Sequence, residues 1–429
     1  MPTDKAVQNE FETDACESID VAIIGAGPSG SIAASLLQAQ GKKVVVLEKQ
    51  YFPRFSIGES LLPCCMTVIE EANMLEAVNQ AGFQFKNGAA FKYQDSYTSF
   101  DFTDKFTAGP GTTFQVERAQ FDKLLADEAV KQGVDIRYGH SVESIDLAAE
   151  PMLNIIDDKG GSQSLKAKFV LDASGFGRVL PRLLDLEKPS SLPTRSAVFN
   201  HVRDNISDPN FDRNKILISV HPDNQDIWYW LIPFSDGRCS VGVVGEPHQL
   251  EGLHDGVDCD IDGDLNSILK TMLNQEPGLK KLLANAELIN ESGLLKGYSA
   301  NVTTLATDKF ALLGNAGEFL DPVFSSGVTI AMQSASMAAK TLIKQLDGES
   351  VDWQQDYAAP LMRGVDTFRT YVEAWYDCRF QDAIFFKDPD PKIKQMICSI
   401  LAGYAWDEKN PFVSESKRRL NMVVELCRS

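Results

Sequence analysis

Gly25-Ala-Gly27-Pro-Ser-Gly30 and Glu48 form the first grouping with chemical consequences. Three glycines at this spacing let a chain turn tightly, let its backbone approach a pyrophosphate, and let a helix pack closely on a strand. A helix starting there presents free N–H groups and the positive end of its dipole to phosphate. An acid about 20 residues on accepts hydrogen bonds from ribose hydroxyls, and its charge disfavours a 2′-phosphate. The surroundings match. Val21 to Ile24 is a short apolar run of the kind buried on both faces. Ile32, Ala33, Leu36 and Leu37 recur at helical spacing, Gly41 ends the helix, and Val44 to Leu47 predicts a second strand closed by Glu48. A strand–glycine turn–helix–strand unit with its acid in place is expected to bind a dinucleotide, NAD or FAD.

Five further places carry chemistry. Lys86 stands in Phe85-Lys-Asn-Gly88, with Phe83 and Phe91 nearby in sequence. An ammonium among aromatic rings has a depressed pKa and strong donors; the plain alternative is a surface lysine before an Asn-Gly turn. Trp228 and Trp230 in DIWYWLIPF are two residues apart, so on a strand they share one face. Pro233 lacks an N–H and belongs at an edge or strand end. Ser235-Asp236-Gly237 then predicts a turn into a partner strand, hence a hairpin in a second, largely antiparallel sheet. From spacing alone the tryptophans read first as filling the inter-domain core. Ser325-Ser326-Gly327 precedes a predicted helix over 328–346, where consecutive N–H groups make an anion nest. Arg118 opens a helix in QVERAQFDKLL, and Asp172 ends a strand in FVLDASG. Either alone reads as an ordinary helix or turn residue.

The elements that position these groups need a large frame. The chain has 429 residues, 44% apolar and 24% charged, which predicts two or three domains. Its net charge of −19 argues against general binding to nucleic acid or to anionic membranes. No run of about 18 apolar residues predicts a membrane span. The polar, acidic first 17 residues lack the apolar stretch of a signal peptide and are expected to form a disordered tail. Eight cysteines without a C-x-x-C pair, and five unclustered histidines, predict reduced thiols, a cytoplasmic protein and no structural metal.

FVLDASG, the segment KFALLGNAGEFLDPVFSSGVTIAMQSA (309–335) and Arg118 together resemble the signature segments of the para-hydroxybenzoate-hydroxylase-type flavoproteins. The resemblance covers about residues 20–345. It implies a single FAD, with Arg118, Asp172, Gly314 and Asn315 joining Gly25, Gly27, Gly30 and Glu48 in the cofactor site. That family usually reads Gly-Asp where this chain has Gly314-Asn315. An amide still bonds a ribityl hydroxyl, so altered or weaker FAD affinity is expected.

Within that class, Trp228, Trp230, Ile232 and Pro233 match the W-x-W-x-I-P motif of flavin-dependent halogenases. Phe319, Pro322, Ser325 and Gly327 match a second motif, F-x-x-P-x-x-S-x-G. IGESLLP (57–63) with GFQFKNGAAF (82–91) is similar to the halogenases of phenols and carrier-bound pyrroles, whose essential lysine aligns with Lys86. The resemblance implies that Lys86, Trp228 and Trp230 carry the reaction and that a halide binds the N–H groups of Ser326 and Gly327. It further implies chloride or bromide as co-substrate, reduced FAD from a separate flavin reductase, and an electron-rich pyrrole or phenol held on an acyl or peptidyl carrier protein. Phe324 stands where tryptophan halogenases carry a glutamate, which argues against free tryptophan as substrate. The alternative is a halogenase-like FAD monooxygenase or oxidoreductase of a secondary-metabolite or lipid pathway.

The expected fold class is α/β: a Rossmann-like FAD-binding domain, an interleaved and mainly antiparallel β-sheet substrate domain, and a helical C-terminal region. The expected division is an FAD-binding domain over 18–184 with a substrate-side insertion near 82–115, a substrate-domain sheet over 185–296, a return to the FAD-binding domain over 297–346, and helices over 347–429.

Overall fold

A computed structural model describes residues 17–190, 192–251 and 264–428. The expected N-terminal tail lies outside them, except that Glu17 opens the first strand. Among the described residues no helix is long and apolar enough to cross a membrane.

The apolar run that opens the nucleotide motif is the strand Glu17–Ile24. It lies between Val44–Glu48 and Ser162–Asp172, parallel to both. Val21, Ala22 and Ile23 have no exposed surface, because this sheet is covered on both faces. Asp135–Tyr138 extends the sheet beyond Val44–Glu48. The free edge of Ser162–Asp172 is shared. Its first half pairs antiparallel with Met152–Asp157, and its last three residues pair parallel with Phe310–Leu312. His140–Asp146 completes this mixed sheet of seven described strands. The helix Pro28–Gln38 begins directly at the glycine turn, with proline in its first turn where no N–H is missed. It packs against the long helix Ser326–Leu346, and buried Ala33, Ala34, Ala335, Ala338 and Ala339 on the two helices keep side-chain bulk small.

The second sheet has the order Glu287–Leu288, Ser196–Arg203, Arg238–Gly245, Trp228–Pro233, Lys215–Val220, Gly88–Tyr93, Ser96–Asp101, with Gly293–Lys296 also on Ser196–Arg203. All pairings are antiparallel except that of Lys215–Val220 with Gly88–Tyr93. The 82–115 segment therefore supplies two strands to a sheet otherwise built from 196–296. Trp228–Pro233 and Arg238–Gly245 form the expected hairpin, and Pro233 is the last residue of its strand. Alternation sorts the strand into two cores. Trp228, Trp230 and Ile232 join the large core shared with the nucleotide half, while Tyr229 and Leu231 pack with Ile268, Leu269 and Met272 of the helix Leu265–Gln275.

Beyond residue 347 the chain is helical. Ala359–Tyr376 and Arg379–Ile384 are followed by a break at the Asp-Pro repeats, then by Pro391–Leu401 and Ser416–Arg428. Trp353 stacks on Phe169 with ring centroids 4.6 Å apart, which seats this region on the nucleotide sheet.

Candidate functional site

Gly25 has φ +98°, and a side chain there would fall 2.7 Å from the Ala173 carbonyl oxygen. A Cβ on Gly30 would fall 1.9 Å from the Gly25 carbonyl oxygen. Gly30 therefore holds the turn against its helix and is not itself at the cavity surface. Gly25, Gly27 and Ser29 do border a cavity of about 610 Å3. Glu48 also borders it, and its carboxylate oxygens accept from the N–H groups of Ala26 and Gln50, each at 2.9 Å. The acid is thus anchored to the cradle it serves.

Arg118 borders the same cavity. Its Nε and Nη2 bond the two Asp122 oxygens at 2.7 and 2.9 Å, and its Nη1 donates to the Ile57 carbonyl at 2.6 Å. Asp122 is fully buried and also takes Arg54 Nη1 at 3.2 Å. One carboxylate thereby fixes two guanidinium groups beside the cradle. Arg54 was not anticipated from the sequence. It lies 3.4 Å from the Cβ position of Gly27, well placed for a phosphate. Nothing local in Tyr-Phe-Pro-Arg-Phe announces that role, whereas the Arg118–Asp122 spacing of four was a usable signal.

Two of the expected cofactor residues stand behind the cavity wall. The Asp172 carboxylate does not reach the cavity; it accepts from the N–H groups of Ser174 and Leu180 at 2.9 and 2.7 Å, with no exposed surface. Burial pushes its pKa up against those hydrogen bonds. Its work is to shape the Ala173–Gly177 loop, which does border the cavity. Gly314, at φ +51°, packs on Ala331 and donates its N–H to Ser334 Oγ at 2.9 Å. The neighbour, Asn315, faces the cavity, and its buried Oδ1 has no protein partner. An orphaned acceptor in the wall suits a ligand hydroxyl.

The opposite wall holds Trp228 and Trp230, whose rings are 6.0 Å apart. Trp230 lies flat against its cross-strand neighbour Gly242, where a Cβ would fall 2.3 Å from the indole. A glycine inside a strand is the sequence signal for such close approach. Trp228 Nε1 donates to the Tyr376 hydroxyl at 2.9 Å, which donates to Asp321 Oδ2 at 2.8 Å. Tyr298 donates to the same oxygen at 3.0 Å, and the Arg195 guanidinium covers the Tyr376 ring at 3.4 Å. Ser325, in the left-handed region, caps the helix Ser326–Leu346. Ser325 and Gly327 border the cavity; Ser326 is buried beside it. Of the two residues expected to hold a halide, Gly327 borders the cavity and Ser326 does not.

Lys86 is fully buried, which removes the surface reading. Its expected aromatic surroundings are also corrected. Phe85 points the other way and is exposed, as strand alternation requires, and the ring facing Nζ is Phe102 at 5.4 Å. Nζ donates to Ser60 Oγ and the Leu61 carbonyl, each at 2.7 Å. Lys86 does not border the cavity, but Ser60 does, so one hydroxyl separates the amine from it. Desolvation pulls the Lys86 pKa down to about 7. Glu59, also on the wall, takes His201 Nε2 at 2.7 Å; burial opposes charging the imidazole, but Glu59 outweighs it and raises its pKa.

Fold, cradle and orphaned Asn315 acceptor fit FAD, and Gly25, Gly27, Glu48, Arg54 and Arg118 border the same cavity. These features define a flavoprotein of the FAD-binding class, and a family model described as FAD binding domain matches residues 18–249. A 1H-pyrrole-2-carbonyl-(peptidyl-carrier protein) chlorinase of Pseudomonas fluorescens is 29% identical over 439 aligned positions, covering 95% of this chain and 94% of that one. The corresponding brominase of Pseudoalteromonas luteoviolacea is 30% identical over 346 positions, covering 80% of this chain and 81% of its own. A crystal structure of a flavoprotein/dehydrogenase from Cytophaga hutchinsonii superposes with a TM-score of 0.90 at 42% identity, covering 96% of this chain and 99% of that one. The chain belongs to the flavin-dependent halogenases, a family of oxidoreductase enzymes.

Proposed function

We propose that this enzyme uses reduced FAD, dioxygen and chloride or bromide to make hypohalous acid, and that it halogenates an electron-rich pyrrole or phenol presented on a carrier protein. One observation carries the reading: a single cavity is bordered by the phosphate cradle, the Trp228–Trp230 wall and the Ser325–Gly327 turn, with Lys86 one hydroxyl beyond its edge. Reduced FAD, when bound, supplies with dioxygen the oxidising equivalents for the halide.

The chain's own residues then divide the work. The helix after Gly27, with Arg54 and Arg118, neutralises pyrophosphate. Glu48 takes a ribose hydroxyl and Asn315 a further hydroxyl. The turn at Ser325 and the N–H of Gly327 hold the halide, and the helix dipole stabilises its charge. Trp228 and Trp230 keep the organic substrate from the flavin, so that hypohalous acid and not substrate crosses the wall. Lys86 receives it, either as a hydrogen-bond donor or as an amine that carries the halogen. The carrier-bound substrate is supported by the two pyrrole-carrier relatives. A separate reductase is supported by the one glycine-rich strand–turn–helix unit in the sequence. A cytoplasmic setting fits Cys64, Cys65, Cys239, Cys378, Cys398 and Cys427, which are free thiols.

The test supplies a flavin reductase, FAD and NADH to the protein with chloride or bromide. Mass spectrometry then follows a panel of free and carrier-bound pyrroles and phenols. Halide-dependent products with the halogen isotope pattern are expected, and Lys86→Ala is expected to abolish them while FAD binding is kept. Hydroxylated products that ignore halide would replace this reading with a monooxygenase.

A further inference from the structure

The surroundings of Lys86 contain sulfur as well as nitrogen. Lys86 and Thr113 are directly opposed in the antiparallel pair Gln84–Lys86 and Thr113–Gln115, so their side chains leave the same face. Thr113 Oγ1 donates to Met66 Sδ at 3.3 Å. Lys86 Nζ also holds Ser60 and Leu61, the segment that leads into the helix Cys64–Glu71. Met66 stands in the first turn of that helix and is 7% exposed. Its neighbour Cys65 is fully buried, and its sulfur bonds Thr329 Oγ1 at 3.2 Å. Burial pushes the Cys65 thiol up, and a protonated thiol is a poor nucleophile. A thioether has no proton to lose and reacts at any pH. Of these two sulfurs, only the Met66 thioether needs no deprotonation to react.

We propose that Met66 is a modification site, at which hypohalous acid delivered towards Lys86 is intercepted as methionine sulfoxide when no organic acceptor is bound; this rests on the halogenase reading above. The sulfur gives an electron pair to the halogen and hydroxide leaves. Water then replaces halide on sulfur. One thioether and one hypohalous acid become one sulfoxide, one halide ion and one proton, with sulfur oxidised and halogen reduced by two electrons each. The sulfoxide is larger and polar, so it disturbs the Thr113 contact and the strand that carries Lys86. Oxidant generated without an acceptor is thereby turned into loss of activity at one place, which a methionine sulfoxide reductase restores.

The experiment runs the enzyme with reductase-supplied reduced FAD, dioxygen and bromide, catalase present and acceptor withheld, and measures sulfoxide at each methionine by peptide mass spectrometry. Bromide-dependent sulfoxide at Met66 is expected ahead of Met422, a methionine that is 45% exposed. Bulk hypobromite added to resting enzyme should reverse that order. Met66→Leu keeps volume and apolar character and is expected to keep initial activity, with about twofold or more extra turnovers before activity halves. Met422 oxidised ahead of Met66 during turnover, in enzyme that brominates an acceptor, would overturn the site and leave the halogenase reading standing. No bromide-dependent oxidation and no brominated product would overturn that reading, and the site with it.

Discussion

Lys86 shows how much one buried charge decides. Its side chain has no exposed surface, and desolvation lowers its pKa from 10.5 to about 7. The sign of the linkage follows. Between the folded and unfolded values the unfolded chain binds more protons, so stability rises with pH across that window. Below about 7 both states carry the charge and the burial penalty is fully present. For one group the slope is at most about 1.4 kcal/mol per pH unit. Lys86→Met keeps the length and removes the titration. The gain in unfolding free energy between pH 7 and pH 9, measured by denaturant titration, is expected to shrink in that variant by about 2 kcal/mol. An unchanged gain would mean that Lys86 does not titrate in this range.

At the scale of elements, the tryptophan wall depends on the strand beside it. Trp230 can lie on the sheet only because its neighbour across the ladder is Gly242. Ser240, two residues earlier on that strand, accepts from Trp230 Nε1 at 3.1 Å, which fixes the ring's direction. Gly242→Ala would drive a methyl into the indole, and displacement of the ring costs about 1–3 kcal/mol. If the wall separates substrate from flavin, the variant should bind FAD yet release more peroxide and less halogenated product per reduced flavin. Trp228→Phe, which keeps apolar surface but removes indole bulk and its N–H, should move coupling the same way. Lost stability with unchanged coupling would assign these rings to the core alone.

At the scale of the whole molecule, the buried network around Asp321 joins three parts of the chain. Trp228 comes from the second sheet, Tyr376 ends the helix Ala359–Tyr376, and Asp321 precedes the turn into the helix Ser326–Leu346. Burial raises the pKa of Asp321 even though Val323 N–H and two tyrosine hydroxyls bond it. The C-terminal helices thus set the angle of the tryptophan wall from outside the flavin cavity. Tyr376→Phe leaves the Trp228 N–H without its acceptor and Asp321 with one donor fewer, at a cost of about 1–3 kcal/mol. Peroxide released per reduced flavin is expected to rise beside a lowered melting temperature. A lowered melting temperature alone would make the network purely structural.

The sequence by itself determined what depends on short stretches of chain. Gly25, Gly27 and Glu48 were legible because strand, turn and helix follow one another directly. Trp228 and Trp230 were legible as one face because a strand repeats every two residues. The helical C-terminal region and its break at the Asp-Pro repeats were legible for similar reasons. Tertiary structure decided where polar groups end when distant segments compete for them. Asp172 bonds its own loop because folding brings the N–H groups of Ser174 and Leu180 within hydrogen-bond distance of its carboxylate. Arg54 reaches the cradle from a loop because Asp122, on the helix Arg118–Lys131, holds it there. Ser326 is buried while Ser325, in a left-handed turn, and Gly327 border the cavity. Lys86 gained Phe102, Ser60 and Met66 as surroundings from segments it does not adjoin in sequence. Periodicity fixes a side chain's face, but its partner is chosen by packing and by the need to satisfy every buried polar group.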